Sequence, residues 1–407
     1  MASWEETFET SLEILRSGHL LRQRVVTPRK ANGDGPASIN FASNDYLGLT
    51  CDANVIQAAV QAVREQGWGA GASPLVTGFS DLHEQLERRV AAFEKTPAAV
   101  AFSSGYATNT GVIRSLVGPG DCIFSDRLNH ASIIDGCRLS GARLRVYPHG
   151  DMSRLRALLE RHRSGGKLLI VTESLFSMDG DVAPVEALVD LSEQYDALLY
   201  LDEAHASGVF GRYGRGVAEE KNVEQRIPVR VGTFSKAFGS IGGFVVGSQK
   251  CCQWIVNRAR PYIYSTALPP ACCAASIAAI ERVERSSVVT ELSETGNQET
   301  SERKPALGQE LLARAADFRY ALKQARLDIG NSESQIIPIL VRSPGKAMEF
   351  SWRLREAGWL VPAIRSPSVP EGTDRLRISL TLLHDTELLE RFSVDLADIA
   401  RSLSLLD

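Results

Sequence analysis

The sequence predicts an α/β fold, a mostly parallel sheet covered by helices, with a smaller α+β C-terminal domain. Three observations predict it. Short apolar runs at residues 98–102, 122–124, 144–147, 168–171, 197–201 and 229–234 are separated in several places by stretches of helical periodicity. Beyond residue 305, strand-like and helix-like segments mix instead. The chain has 407 residues, and at roughly 100–200 residues per domain that suggests two domains, or one large domain with a smaller partner.

The elements follow in order. Trp4, Phe8, Leu12 and Leu15 recur at helical spacing and mark an N-terminal helical arm. Ala31-Asn-Gly-Asp-Gly-Pro36 is a turn that separates the arm from the body. Asp81-Leu-His-Glu84 reads as a capping box, after which Leu82, Leu86, Val90 and Phe93 share a helix face. Pro184 suits the first helical position, and Val185, Leu188, Ser192 and Tyr195 share the next face. Residues 244–246 form a further strand candidate only a few residues after Phe234. A parallel crossover needs a dozen or more residues, so this strand is expected to run antiparallel to the one before it, or to pair elsewhere. The polar stretch 284–305 reads as a mobile surface loop or a frayed helix end. Helical patterns at 311–322, 347–357 and 387–403 and strand-like runs at 336–341 and 376–381 complete the chain. The expected division is an arm at 1–45, a large domain at 46–275 and a small domain at 276–407.

Composition narrows the function. Apolar residues make up 44% and charged residues 23%, which excludes a disordered or fibrous chain. Lys and Arg number 45 against 49 Asp and Glu, a formal charge of −4, so there is no electrostatic footprint for nucleic acid or an anionic membrane. The seven cysteines (Cys51, Cys122, Cys137, Cys251, Cys252, Cys272 and Cys273) form no C-x-x-C pair and no disulfide framework. Free thiols in a reducing compartment are the expectation. The acidic start lacks the basic and apolar regions of a signal peptide, and the longest apolar stretch is too short to span a bilayer. The expected location is the cytoplasm.

Four features bear chemistry. Ser103-Ser-Gly-Tyr-Ala-Thr-Asn109 follows a strand and opens a helix, so it is either a phosphate-cradling turn or an ordinary strand-to-helix turn. Asp202-Glu-Ala-His205 ends an apolar run, where α/β sheets place their ligands. Its carboxylate suits a cationic ring nitrogen, and its alternative role is a helix cap beside a surface histidine. Thr233-Phe-Ser-Lys236 ends the next strand; the lysine is either solvated surface or a Schiff-base lysine. Asn129-His130-Ala-Ser132 places a histidine in a loop, as polar surface or stacked on a planar cofactor. Together, the phosphate turn, the strand-end acid and the strand-end lysine match the needs of pyridoxal phosphate. Asp202-Glu-Ala-His205 also spells a helicase box, but that class needs G-x-x-x-x-G-K-[ST]. Gly166-Lys167 is followed by Leu168 and Gly345-Lys346 by Ala347, so neither fits.

Further segments are Ser43-Asn-Asp-Tyr-Leu-Gly-Leu49, Gly69-Ala-Gly-Ala-Ser-Pro-Leu-Val-Thr-Gly78, Thr172-Glu-Ser-Leu-Phe-Ser-Met-Asp-Gly-Asp181 and Tyr264-Ser-Thr266. In this order and spacing the chain resembles, over nearly its whole length, the α-oxoamine synthases. These are pyridoxal 5'-phosphate enzymes of the aspartate-aminotransferase-like fold type I. Val361-Pro-Ala-Ile-Arg-Ser-Pro-Ser-Val-Pro370 and Arg375-Leu-Arg-Ile-Ser379 are most similar to the members that use L-alanine. Pro74 stands where many members carry a basic residue, and Ser368 where threonine is usual, keeping the hydroxyl.

The resemblance implies a role for each matching residue. Lys236 holds the cofactor and shuttles the α-proton. Asp202 pairs with the ring nitrogen, His205 and Ser177 contact the ring hydroxyl, and His130 stacks on the ring and faces the substrate. Gly105, Tyr106 and Thr233 lie at the phosphate, and Thr266 reaches the phosphate of the other subunit of a homodimer. Asn44 and Arg365 hold the amino-acid carboxylate, and Arg22 and Ser368 touch the acyl substrate. The Asp179-Gly180-Asp181 pair reads as a turn rather than a metal site. The implied reaction is a decarboxylative condensation of L-alanine with a pimeloyl thioester, on CoA or an acyl carrier protein, in biotin biosynthesis. Glycine or serine with a different acyl-CoA is the alternative. A catalytically silent subunit would lack the lysine that is present here as Lys236.

Overall fold

The computed structural model describes residues 3–22, 24, 26, 38–162, 165–295 and 305–406, without the side chains of 288–295. The turn expected at 31–36 lies outside the described residues. Among those described, no helix is long and apolar enough to cross a membrane, and all seven cysteines are free thiols.

The chain divides into two compact units. One holds Asn44–Ser177 and Asp181–Ala313, the other Met1–Ser43, Met178–Gly180 and Arg314–Asp407. The larger unit is built on seven strands: β1 (Ala98–Phe102), β2 (Cys122–Asp126), β3 (Arg143–Tyr147), β4 (Leu168–Glu173), β5 (Leu198–Asp202), β6 (Val229–Thr233) and β7 (Gly243–Gly247). Their order across the sheet is β1-β7-β6-β5-β4-β2-β3. The neighbours from β6 through β3 pair in parallel, whereas β7 runs antiparallel to both β1 and β6. The strand expected to reverse direction does so, because the connection from Thr233 to Gly243 is too short for a crossover. Every residue of β2, β4, β6 and β7 is buried, the mark of strands covered on both faces.

Helices α1 (Asp81–Phe93), α2 (Gly105–Leu116), α3 (Ala131–Ser140), α4 (Met152–Arg161), α5 (Val185–Gln194) and α6 (Pro270–Thr295) belong to this unit. The α1 capping box sits one residue earlier than expected. Ser80 is the N-cap, and the Ser80 N–H donates to His83 Nδ1 at 3.2 Å. The His83 ring is fixed from its other side, Nε2 lying 2.9 Å from the Leu268 carbonyl, so histidine does the work expected of Glu84. The Leu86, Val90 and Phe93 face is buried as expected. Helix α5 begins at Val185, with Pro184 at the cap.

The expected division at 275/276 falls inside α6, whose buried Ala271, Cys273, Ala279, Ile280 and Val283 pack it along the large unit. The same helix carries the polar stretch from 284 as far as Thr295; residues 296–304 lie outside the described set.

In the smaller unit, β8 (Ile336–Leu340), β9 (Ala363–Ile364) and β10 (Arg375–Ser379) form an antiparallel sheet in the order β9-β10-β8. Helices Pro344–Glu356 and Thr386–Ser402 accompany it. Residues Ile39 and Asn40, expected in the arm, pair in parallel with Trp359 and Leu360, and Phe41 stacks on Phe392 at 3.9 Å between ring centroids. The arm helix Trp4–Ser17 has no buried residue.

Candidate active site

Parallel strands end on one side of a sheet, so β4, β5 and β6 deliver Glu173, Asp202 and Thr233 to a common edge. The start of α2 and the turn from β2 into α3 complete a cavity of about 240 Å³ there. Its lining includes Gly105, Tyr106, His130, Asp202, His205, Thr233 and Lys236. Seven of the residues singled out from sequence therefore share one cavity. A larger cavity, about 640 Å³, lies beside Arg89, Tyr213 and Arg215. Its arginines Arg89, Arg215 and Arg285 are already paired with glutamates, and its lysine, Lys95, precedes a strand rather than following the end of one. Chemistry, not size, selects the smaller one.

Asp202 is buried and its two oxygens are both accepting. Oδ1 takes the Ala204 N–H at 2.9 Å and Oδ2 the Asn109 amide at 2.7 Å. Asn109 also donates to Ser132 Oγ at 2.9 Å and accepts from the Tyr200 hydroxyl at 2.5 Å. These bonds orient a carboxylate before any ligand arrives.

His130 caps α3. Its Nδ1 accepts from the Ser132 N–H at 3.2 Å and lies 2.7 Å from the Ser132 hydroxyl, so in the neutral ring Nε2 carries the proton. Partial burial pushes its pKa below the usual histidine range; the Asp202 charge opposes that and the Lys236 charge adds to it. The His205 ring is set by Tyr46, whose hydroxyl lies 2.7 Å from Nδ1 and donates to Asn44 Oδ1 at 3.2 Å.

The other end of the cavity is the N-terminus of α2. Ser104 caps α2 through the Ala107 N–H at 3.0 Å. Helix geometry offers no carbonyl to the N–H groups of Gly105 and Tyr106. Gly243 lets this first turn lie against β7, since a Cβ there would stand 2.5 Å from Thr108 Oγ1 and 2.8 Å from Gly105 N. Thr233 Oγ1 donates to the Gly242 carbonyl at 2.6 Å and lies 2.7 Å from Ser235 Oγ. A helix N-terminus with free N–H groups, a half-buried lysine and a fixed carboxylate in one cavity are the donor set that pyridoxal phosphate requires, so these residues fit the group.

The other expected residues do not line this cavity. Asn44 accepts from the Tyr46 hydroxyl, which in turn meets His205 of the lining. Ser177 is buried in the loop after β4. Thr266 is exposed beyond the short helix Arg260–Tyr264. Arg22, Arg365 and Ser368 belong to the smaller unit, where they meet. Arg22 Nη2 donates to Ser368 Oγ at 3.2 Å, and Arg365 donates to the His19 carbonyl. Burial, and next the Arg22 charge, lower the Arg365 pKa from its ordinary value.

Sequence reasoning gave no role to Glu173, Ser132, Tyr200 or Ser235. Glu173 is 3% exposed, accepts the His130 N–H at 2.6 Å, and is a register neighbour of Asp202. Burial and then the Asp202 charge push its pKa up to about 8, against Lys236. Only the sheet order, which sets its strand beside that of Asp202, marks it as a site residue.

The family model for aminotransferase class I and II matches residues 36–394. The chain is 47% identical over 372 residues to 8-amino-7-oxononanoate synthase of Geobacter sulfurreducens, covering 91% of each sequence. It is 44% identical over 404 residues to the protein of the same name from Citrifermentans bemidjiense, covering 98% of this chain and 100% of that one. Among solved structures, serine palmitoyltransferase from S. paucimobilis, with bound PLP–myriocin aldimine, superposes with a TM-score of 0.87 at 27% identity, covering 98% of each chain.

Proposed function

The chain belongs to the aminotransferase class I and II family, and from that membership and its near-full-length likeness to 8-amino-7-oxononanoate synthases we propose the reaction it performs. L-Alanine condenses with a pimeloyl thioester, on CoA or an acyl carrier protein, and 8-amino-7-oxononanoate, carbon dioxide and the carrier thiol are released. This is a pyridoxal-phosphate-dependent acyl transfer of biotin biosynthesis. The observation that carries it is the cavity in which Lys236, Asp202 and the start of α2 converge.

When bound, pyridoxal phosphate supplies an electron sink for negative charge at the amino-acid α-carbon. The protein supplies the rest. Lys236 Nζ holds the cofactor and moves the α-proton. Asp202 presents a carboxylate to the ring nitrogen, held by Asn109 and the Ala204 N–H. The neutral His130 ring provides a stacking face, and its Nε2–H can point to substrate. His205, oriented by Tyr46, and Ser177 serve the ring hydroxyl. The N–H groups of Gly105 and Tyr106, with Thr233, hold phosphate. Asn44 and Arg365 bind the amino-acid carboxylate, and Arg22 and Ser368 the acyl chain.

The pairing of Arg22 with Ser368, and the Arg22 charge felt at Arg365, gather two guanidiniums in the smaller unit. That suits an acyl chain ending in a carboxylate, which an arginine binds bidentately. Arg22→Ala should raise KM for pimeloyl-CoA about tenfold, the loss of a charged hydrogen bond, and leave the alanine KM unchanged. Acetyl-, succinyl-, pimeloyl- and palmitoyl-CoA assayed against glycine, alanine and serine test the substrate pair. A higher kcat/KM for any other pair would overturn it.

The working unit in this reading is a homodimer, with Thr266 of each protomer reaching the other's cofactor phosphate. Its exposed position at the end of a short helix supports this. Thr266→Ala should weaken cofactor retention about fivefold, the worth of one net hydrogen bond. Full activity from a monomer at nanomolar concentration would rule the shared site out.

A further inference from the structure

His149 follows β3 and lies between two carboxylates. Its Nδ1 is 3.0 Å from Asp126 Oδ1 and its Nε2 is 2.7 Å from Asp181 Oδ2. Ionised carboxylates only accept, so both ring nitrogens carry a proton and the imidazole is a cation. Both carboxylates raise its pKa against the effect of burial, to about 10.

Each carboxylate belongs to a segment that carries cofactor residues. Asp126 ends β2 and shapes the turn toward His130. Its Oδ1 accepts from the Leu128 N–H at 2.8 Å, its carbonyl from the Asn129 N–H at 3.3 Å, and its Oδ2 from the Gly150 N–H at 3.0 Å. Asp181 lies in the loop after β4, which Leu175 and Val182 close as an antiparallel bridge. The Asp181 carbonyl accepts the Phe176 N–H at 3.1 Å. Asp181 Oδ1 is buried without a partner among the described residues, and His149 is the cation that faces this carboxylate. The Phe176 ring meets the His149 ring edge-on at 4.3 Å between centroids. Ser177 is the next residue.

We propose that His149, bridging Asp126 and Asp181, is a positioning residue that holds the Phe176–Ser177 segment in place for the cofactor. This rests on the cofactor reading above and deepens it. The turn formed by Asp179 and Asp181 thus gains a function: it hands a carboxylate to His149.

The test is cofactor retention by the purified holoenzyme. In His149→Gln a side-chain amide oxygen faces one of the two carboxylates, and the bridge is lost. The expected result is an apparent Kd for pyridoxal phosphate raised about tenfold, read from the visible absorbance during dialysis and re-titration. In a Ser177→Ala background the same substitution should cost less than about threefold, because the group it positions is gone. Asp181→Ala, at a partly exposed site, should reproduce the loss if His149→Gln does not fold. Wild-type retention in both His149→Gln and Asp181→Ala overturns the inference. So does a full, unchanged loss in the Ser177→Ala background. A wild-type protein with no visible cofactor band instead sinks the cofactor reading itself.

Discussion

Lys236→Ala is expected to lose turnover by about 10⁴-fold or more, because in the proposed reaction one amine both holds the cofactor and moves the α-proton. Lys236 follows β6 by three residues, and its backbone is fixed there. Phe234 N–H donates to the Gly242 carbonyl at 3.0 Å, and Gly239 N–H to the Lys236 carbonyl at 2.9 Å. Among the described residues, no other lysine lines the cavity. Borohydride reduction of the wild-type protein should therefore place the cofactor mass on the peptide that contains Lys236 and on no other. In the alanine variant the covalent label should vanish while weaker, dialysable binding persists. The start of α2, Thr233 and Asp202 are untouched by the substitution, and in the proposed site they hold the phosphate and the ring nitrogen. A label on another lysine, or turnover within tenfold of wild type, would place the chemistry elsewhere.

The parts legible in the sequence share one property: each was a local signal. Asp202 and Lys236 could be read as site residues because an apolar run stops at each. The reversed β7 could be read because ten residues cannot make a crossover. Glu173 was hidden by the same rule that exposed Asp202. The apolar run ends at Val171, but the strand continues through Thr172, whose hydroxyl donates to the Glu173 carbonyl, and Glu173, which is bonded by Asn129 and His130. The domain division failed at α6 because alanine and cysteine pack a helix without a strong polar contrast to mark its face. Arg22 and Ser368 stand 346 positions apart, and no spacing rule brings them together. Their pairing came from the resemblance alone. His149 had no signal in its own neighbourhood; only the fold brings Asp126 and Asp181 to its two ring nitrogens.

Asp202→Asn carries the second large effect, and its geometry separates charge from hydrogen bonding. Both Asp202 oxygens accept, from the Ala204 N–H and from the Asn109 amide. Asn109 is itself oriented by the Tyr200 hydroxyl on its carbonyl oxygen. An asparagine at 202 must therefore set its NH₂ group against a donor, at a cost of about 1–3 kcal/mol for the unpaired buried group. In the proposed site the negative charge facing the ring nitrogen is lost as well, and kcat is expected to fall about 10²–10⁴-fold with the alanine KM little changed. A second substitution distinguishes the two causes. In Asn109→Asp/Asp202→Asn, the residue at 109 accepts from its neighbour's amide and from the Tyr200 hydroxyl, and the Ser132 hydroxyl turns from His130 Nδ1 to donate to it. The hydrogen-bond clash is relieved, and the melting temperature should return toward wild type. The charge, however, now lies on α2 rather than at the end of β5, so turnover should stay low. A double variant that recovers both stability and turnover would show that Asp202 acts only as a structural acceptor.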